Sequence, residues 1–396
     1  MIVVISDLHL GANISYAEFN KNTFSLQKLL KQISASPNVK ELVIAGDLLD
    51  EWFVPATTNT YAGKNQRDFV QRIAATNKGV IDDLNKIIQE GKILVTYVPG
   101  NHDLTITREN VDLILPGINQ ARDKEQGLGI YSPTDYPKIA IEHGHRYNFF
   151  CAPDSISNQD VAPGTIMPPG YFFTRIATLH AIQKATLPID TIKVVTLNNS
   201  ANASQNSLFA YWKLWEWTIN YFSINNKFDE KIIVTNIDGF NETYAVNDLL
   251  PYQLTAGGQI DVNLFKGIQD TWNERQVLNH VAVNIPVAQA IANASSAEET
   301  DSQAKIQYFM NPNSDKRIVI FGHTHVAKII SSNNYNGQKS IYANSGTWID
   351  NNSKLTTMNF VVITPQNNDA SSQTYVKLYN FEGGVVTKMA EDSLRY

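Results

Sequence analysis

Six of the chain's eight histidines, His9, His102, His143, His145, His323 and His325, fall in five short polar segments. These segments read Asp7-Leu8-His9, Gly46-Asp47-Leu48-Leu49-Asp50, Gly100-Asn101-His102-Asp103, His143-Gly144-His145 and Gly322-His323-Thr324-His325. A lone histidine is usually a satisfied structural residue; six gathered with Asp7, Asp47, Asn101 and Asp103 point to metal. Two cations roughly 3.5–4 Å apart can clamp the attacking and leaving oxygens of an in-line displacement at phosphorus. A carboxylate bridges such a pair, and imidazole and amide oxygens complete each shell without adding much negative charge. The site then stays cationic enough to bind a phosphate anion and to acidify a water. Asp7 and His9 are expected on one side of an extended turn, since alternate residues point the same way, and His323 and His325 repeat the spacing. Gly46 permits a sharp turn that would place Asp47 as the bridging carboxylate.

Each segment needs an element to place it. Ile2 to Ser6 runs into Asp7, Glu41 to Gly46 into Asp47, and Ile93 to Gly100 into Asn101. Ile139 to Glu142 runs into His143, and Arg317 to Phe321 into Gly322 and His323. Each run has the length and β-branched content of a buried strand. Functional groups in α/β folds collect on loops at the carboxyl ends of strands. Apolar spacing predicts helices over 18–33 and 68–89, so the first half reads as βαβ units on a mainly parallel sheet. Residues 152–170 are rich in Pro, Gly, Ser and Asn and read as a loop, followed by helical stretches over 171–185, 205–222 and parts of 262–297. Strand signals return at 317–321, 326–331, 339–343, 355–364, 373–380 and 384–389, with an antiparallel, hairpin character. The expected division is therefore 1–151 and 316–396 as two halves of one α/β domain, interrupted by a large, mainly helical insertion or cap over 152–315.

The five segments, in this order and each after a strand, resemble the motifs of the calcineurin-like metallophosphoesterases over about residues 1–150 and 316–350. The resemblance implies a four-layer αββα sandwich and a metal-dependent phosphoric ester hydrolase, a phosphatase or phosphodiesterase. It implies one ion held by Asp7, His9, Asp47 and His325, and a second held by Asp47, Asn101, His143 and His323. His102 would touch the phosphate and protonate the leaving oxygen, with Asp103 fixing its tautomer. Family members use Mn, Fe, Zn or Ni, and this ligand set does not choose among them. The Asp-Leu-His-Leu and Gly-Asp-Leu-Leu-Asp-Glu-Trp stretches are also similar to those of UDP-2,3-diacylglucosamine pyrophosphate hydrolases, which carry a helical cap. This chain departs from them in its much longer insertion and in His102, which stands where those enzymes carry Arg.

Several residues admit two readings. His145 and Arg146 are candidates for substrate contact, against an ordinary loop histidine and surface arginine. Asp50 and Glu51 either hydrogen-bond the ligands or form a solvated acidic turn. The aromatic run of 208–222 either fills the insertion's own core or grips a ring-bearing substrate moiety. Asn344-Ser345-Gly346-Thr347-Trp348 is similar to the turn that closes under the metals in relatives.

Composition narrows the substrate. A 43% hydrophobic and 10% aromatic content is that of a folded chain. A net charge of −6 and the absence of Lys/Arg runs disfavour nucleic acid. The favoured substrate is a phosphate ester or pyrophosphate of a small or lipid-linked molecule. A nuclease of the same family and a non-catalytic binding scaffold are the alternatives. The single cysteine, Cys151, excludes an intramolecular disulfide and is expected to be buried. With no basic leader and no stretch of about 18 apolar residues, a cytoplasmic location is expected, or an exported one if a signal peptide had been trimmed.

Overall fold

The computed structural model describes every residue except 124–126, 201, 354 and 367–371. Two compact units emerge, one of Met1–Asp50, Gln66–His145 and Ser296–Tyr396, the other of Glu51–Asn65 and Arg146–Ser295. The strands in chain order are β1 (Ile2–Ile5), β2 (Glu41–Ala45), β3 (Leu94–Val98), β4 (Asn119–Gln120), β5 (Ile139–Ile141), β6 (Lys231–Val234), β7 (Thr243–Ala245), β8 (Tyr252–Gln253), β9 (Ile260–Asp261), β10 (Ile318–Phe321), β11 (Lys328–Asn333), β12 (Lys339–Asn344), β13 (Asn359–Thr364), β14 (Thr374–Glu382) and β15 (Val385–Leu394). The helices are α1 (Thr23–Ala35), α2 (Gln66–Thr76), α3 (Lys78–Glu90), α4 (Arg108–Ile114), α5 (Pro169–Gln183), α6 (Ala203–Tyr221), α7 (Val246–Leu249), α8 (Trp272–Leu278), α9 (Val287–Ala292) and α10 (Ala297–Gln303), the last running into a π-helical turn, Ala304–Phe309.

The first unit is a mixed α/β structure with two sheets, ordered β15-β14-β13-β1-β2-β3-β4 and β11-β12-β10-β5. β1, β2, β3 and β4 run parallel, as do β5, β10 and β12. β13, β14 and β15 add antiparallel strands, so the last part of the chain is not the pure set of hairpins its pattern suggests: β10 and β12 are parallel neighbours. Ile2, Val4, Val43 and Val361 of the larger sheet share one core with Ile139, Ile141, Ile318 and Ile341 of the smaller. Because strand side chains alternate, these residues occupy one face of each sheet, and burying both faces together is what pairs the sheets. The helix expected over 68–89 is two helices broken at Asn77, whose amide donates to the Ile73 and Gly11 carbonyls.

In the second unit α6 buries Leu208, Tyr211, Trp212, Trp215 and Ile219. Tyr211 stacks on Phe150 and meets Phe149 edge-on, which places this aromatic face in the unit's own core. Cys151 is only half-buried, contrary to expectation, because its neighbours Phe149 and Phe150 take the core positions. Segment 51–65 joins this unit through Arg175, whose buried guanidinium donates to the carbonyls of Val54, Pro55, Ala56, Thr58 and Val234. Removing it orphans several buried acceptors at about 1–3 kcal/mol each. Arg175→Ala should therefore cost at least about 3 kcal/mol in a denaturant titration followed by tryptophan fluorescence. No helix among the described residues is long and apolar enough to cross a membrane.

Candidate metal centre

β1 and β2 deliver their polar ends side by side. Beyond Ile5 and Ala45 the two chains stay linked: Leu8 N–H and His9 N–H both donate to the Asp47 carbonyl at 2.9 Å, and Leu10 N–H donates to Leu48. Asp7, His9, Asp47, His323 and His325 all have left-handed backbone, with φ of 53°, 49°, 50°, 69° and 59°. The shared orientation of Asp7 with His9, and of His323 with His325, thus comes from this turn and not from the extended alternation expected. Left-handed non-glycine residues cost about 1–3 kcal/mol each and cluster where a site over-determines them.

Close approach fixes the glycines. A Cβ on Gly46 would lie 2.2 Å from His143 Nδ1, and one on Gly100 would lie 2.1 Å from Asp47 Oδ1. Gly46→Ala should displace His143 and, since misplacement by about 1 Å can cost about 10²-fold, lower turnover and metal content together. Parallel activity and metal assays check this.

The side chains of Asp7, His9, Asp47, Asn101, His143, His323 and His325 surround one space. His325 Nε2 lies 3.1 Å from Asp7 Oδ1 and 3.3 Å from His9 Nε2, and His9 Nε2 lies 3.6 Å from Asp47 Oδ2. On the other side His143 Nε2 is 3.1 Å from both Asp47 Oδ2 and Asn101 Oδ1, and His323 Nδ1 is 2.8 Å from Asn101 Oδ1. Asp47 Oδ2 belongs to both sets. Tetrahedral ligands at about 2.0–2.1 Å from an ion stand about 3.3 Å apart, so these spacings fit a coordinated cation. Two imidazole nitrogens meeting 3.3 Å apart beside buried carboxylates are also poorly explained by hydrogen bonding alone. Asp7, His9 and His325, and likewise Asp7, Asp47 and His143, form groups able to hold a metal ion.

The remaining ring nitrogens orient the ligands. His143 Nδ1 donates to the Ala45 carbonyl at 2.8 Å, leaving the Nε2 lone pair for the centre. Asp50 Oδ2 accepts from His9 Nδ1 at 2.9 Å and Asp50 Oδ1 from His102 Nδ1 at 2.8 Å. These are the supporting contacts that metal-ligating histidines usually carry. Burial holds the His323 imidazole down to about 3, with the neighbouring His143 adding to it, which keeps the ring neutral, the form able to bind a cation. Burial opposes charge on His143 too, but Asp47 and Asp7 outweigh it and lift it to about 9, a measure of how strongly this carboxylate pair calls for positive charge.

Asp103 does not orient His102. It is fully buried and accepts from the backbone N–H groups of Leu48, Leu49 and Gly100 at 2.8, 3.1 and 2.7 Å, which pins the loop after β2 to the loop after β3. Asp50 holds His102 instead. Asp50 is 3% exposed and Glu51 fully buried, so neither is a solvated acidic turn; Glu51 accepts from Tyr61 Oη at 2.7 Å within the second unit. His145 is buried with its ring 5.4 Å from that of His143 and 6.4 Å from that of His323. Arg146 is buried in the second unit and donates to the Asn279 carbonyl at 3.0 Å, so it is not a surface arginine.

One contributor escapes a reading of the sequence, and a turn expected to close under the site does so. Glu18 Oε2 sits 3.6 Å from His9 Nδ1, from a stretch with no motif around it. The Asn344–Trp348 turn holds both ends of the site, with Thr347 Oγ1 and Trp348 N–H donating to the Asp7 carbonyl at 3.0 Å and Asn344 Nδ2 to the Gly322 carbonyl at 2.7 Å.

The sequence model of the calcineurin-like phosphoesterases matches residues 1–209, just over half the chain. The chain belongs to that family. The match takes in Asp7, His9, Asp47, Asn101, His102 and His143; His323 and His325 lie beyond it and are tied to the site by the distances above. Membership and the Asp/His groups together make the protein a metal-dependent phosphoesterase by class. Among curated proteins none matches the chain.

Proposed function

We propose that the protein hydrolyses phosphomonoester, phosphodiester or pyrophosphate bonds of a small or lipid-linked substrate at a centre of two divalent ions. The observation that carries this reading is one carboxylate oxygen, Asp47 Oδ2, facing His143 at 3.1 Å and His9 at 3.6 Å, with a separate donor set behind each. Asp7, His9, Asp47 and His325 would hold one ion, and Asp47, Asn101, His143 and His323 the other. Manganese, iron and zinc all suit these donors. When bound, such ions polarise the phosphoryl group and lower the pKa of the attacking water.

The chain's own residues supply the rest. His102, fixed at Nδ1 by Asp50, presents Nε2 as the atom that gives a proton to the departing oxygen. His145 and Arg146 are proposed as substrate contacts, His145 from beside the ligand imidazoles. Two sheets sharing one core, with helices between the strands of the first, support reading the catalytic domain as a four-layer αββα sandwich.

Hydrolysis of mono-, di- and pyrophosphate esters, measured under Mn2+, Fe2+ and Zn2+ in turn, tests the reading. Turnover of at least one class, abolished by a chelator and restored by metal, is expected. A folded, metal-loaded protein inert to all three classes would overturn it, and rapid digestion of single-stranded DNA would point to a nuclease instead.

A further inference from the structure

Asp301 lies on α10, in the 296–316 stretch that belongs to the same unit as the ligand loops. Its carboxylate is buried, and its partners belong to the His323–His325 turn or to the strands that follow it. Thr324 Oγ1 donates to Oδ1 at 3.2 Å and Asn344 Nδ2 does so at 3.3 Å; the Tyr342 hydroxyl donates to the same oxygen, and Lys328 Nζ stands 2.8 Å from Oδ2. Thr324 separates the two ligand histidines. Its hydroxyl has one proton to give, so donating it to Asp301 leaves its lone pairs to accept from Asn344 Nδ2 at 3.0 Å, while Asn344 also holds the Gly322 carbonyl. The helical segment is itself pinned near another ligand, since Tyr308 Oη donates at 2.7 Å to Glu142, the residue before His143.

The turn that these bonds brace is a strained one, with left-handed His323 and His325 on either side of Thr324. Strained backbone persists only where its surroundings over-determine it. A carboxylate collecting these donors is a strong acceptor on one side of that turn, and Asp7 takes the His323 N–H at 3.1 Å on the other.

We propose that Asp301 is a positioning residue for the metal centre: it locks the His323-Thr324-His325 turn with both imidazoles aimed inward, so that its loss weakens metal binding more than folding. This rests on the metal-centre reading above. The test titrates the full chain with Mn2+ and follows the free ion by its electron paramagnetic resonance signal. Asp301→Asn, which keeps size but halves the acceptor capacity and removes the charge, is expected to raise the Kd for Mn2+ about 10–100-fold, the usual cost of losing an outer contact of a metal site. Its melting temperature in EDTA should stay within a few degrees of wild type. Thr324→Val, which removes only the hydroxyl, should shift the Kd in the same direction. An unchanged Kd in Asp301→Asn, with or without a lowered melting temperature, overturns the proposal. If that variant does not fold, an unchanged Kd in Thr324→Val overturns it. Asp47→Asn separates the two readings: if it loses ion while Asp301→Asn does not, only the present proposal falls, whereas a wild-type chain that binds none of Mn2+, Fe2+ and Zn2+ defeats both.

Discussion

Asp47→Asn is expected to lower turnover of any phosphate ester by about 10³-fold or more and to release at least one metal ion. The substitution keeps the side chain's shape and its contact with the His102 N–H, 2.8 Å from Oδ1, while removing the negative charge from Oδ2. That oxygen faces His143 at 3.1 Å and His9 at 3.6 Å, so this one substitution acts on both donor sets. Metal-ion catalysis of this kind is worth several kcal/mol of transition-state stabilisation, and each 1.36 kcal/mol is a factor of ten in rate. Folding should survive, because amide and carboxylate occupy the same volume and the neutral form removes a buried charge. Steady-state kinetics and elemental analysis on the same sample read both effects; wild-type rates with full metal content would contradict the assignment of Asp47 as a shared ligand.

His102→Ala is expected to behave differently. Turnover should fall by about 10²–10⁴-fold, the range for a positioned general acid, with metal content unchanged. Proton donation matters only where the departing oxygen is basic, so the loss should be largest for alkyl esters and shrink for p-nitrophenyl esters. Asp50→Asn should produce a milder version, about 10–100-fold, by loosening His102 and His9 together. Asp103→Asn should act through loop geometry, since its partners are the backbone N–H groups of Leu48, Leu49 and Gly100. An equal loss for alkyl and nitrophenyl esters in His102→Ala would remove it as the acid.

The strand ends and the donor residues were legible because both signals are local. A buried strand is a short apolar run, and a donor at its end is a change of residue type. What the local chain does not carry is which side chain turns toward which. Asp103 is adjacent to His102 in sequence, yet the turn after Asn101 aims it at three backbone N–H groups, and Asp50, from the loop after β2, takes the imidazole. The left-handed conformations of Asp7, His9, Asp47, His323 and His325 are equally invisible, since none is a glycine and only packing enforces them. Residues 51–65 join the second unit because Arg175, well over a hundred positions later, collects their carbonyls. Residues 296–315, expected within the insertion, belong to the first unit, held there by Asp301 and Tyr308. Each of these depends on contacts between distant segments.

Diffraction from crystals of the protein grown with Mn2+, collected at the manganese absorption edge, addresses the centre directly. Two anomalous peaks roughly 3.5–4 Å apart are predicted, one bonded to Asp7, His9 and His325, the other to Asn101, His143 and His323, with Asp47 touching both. A single peak, or peaks away from these side chains, would contradict the account.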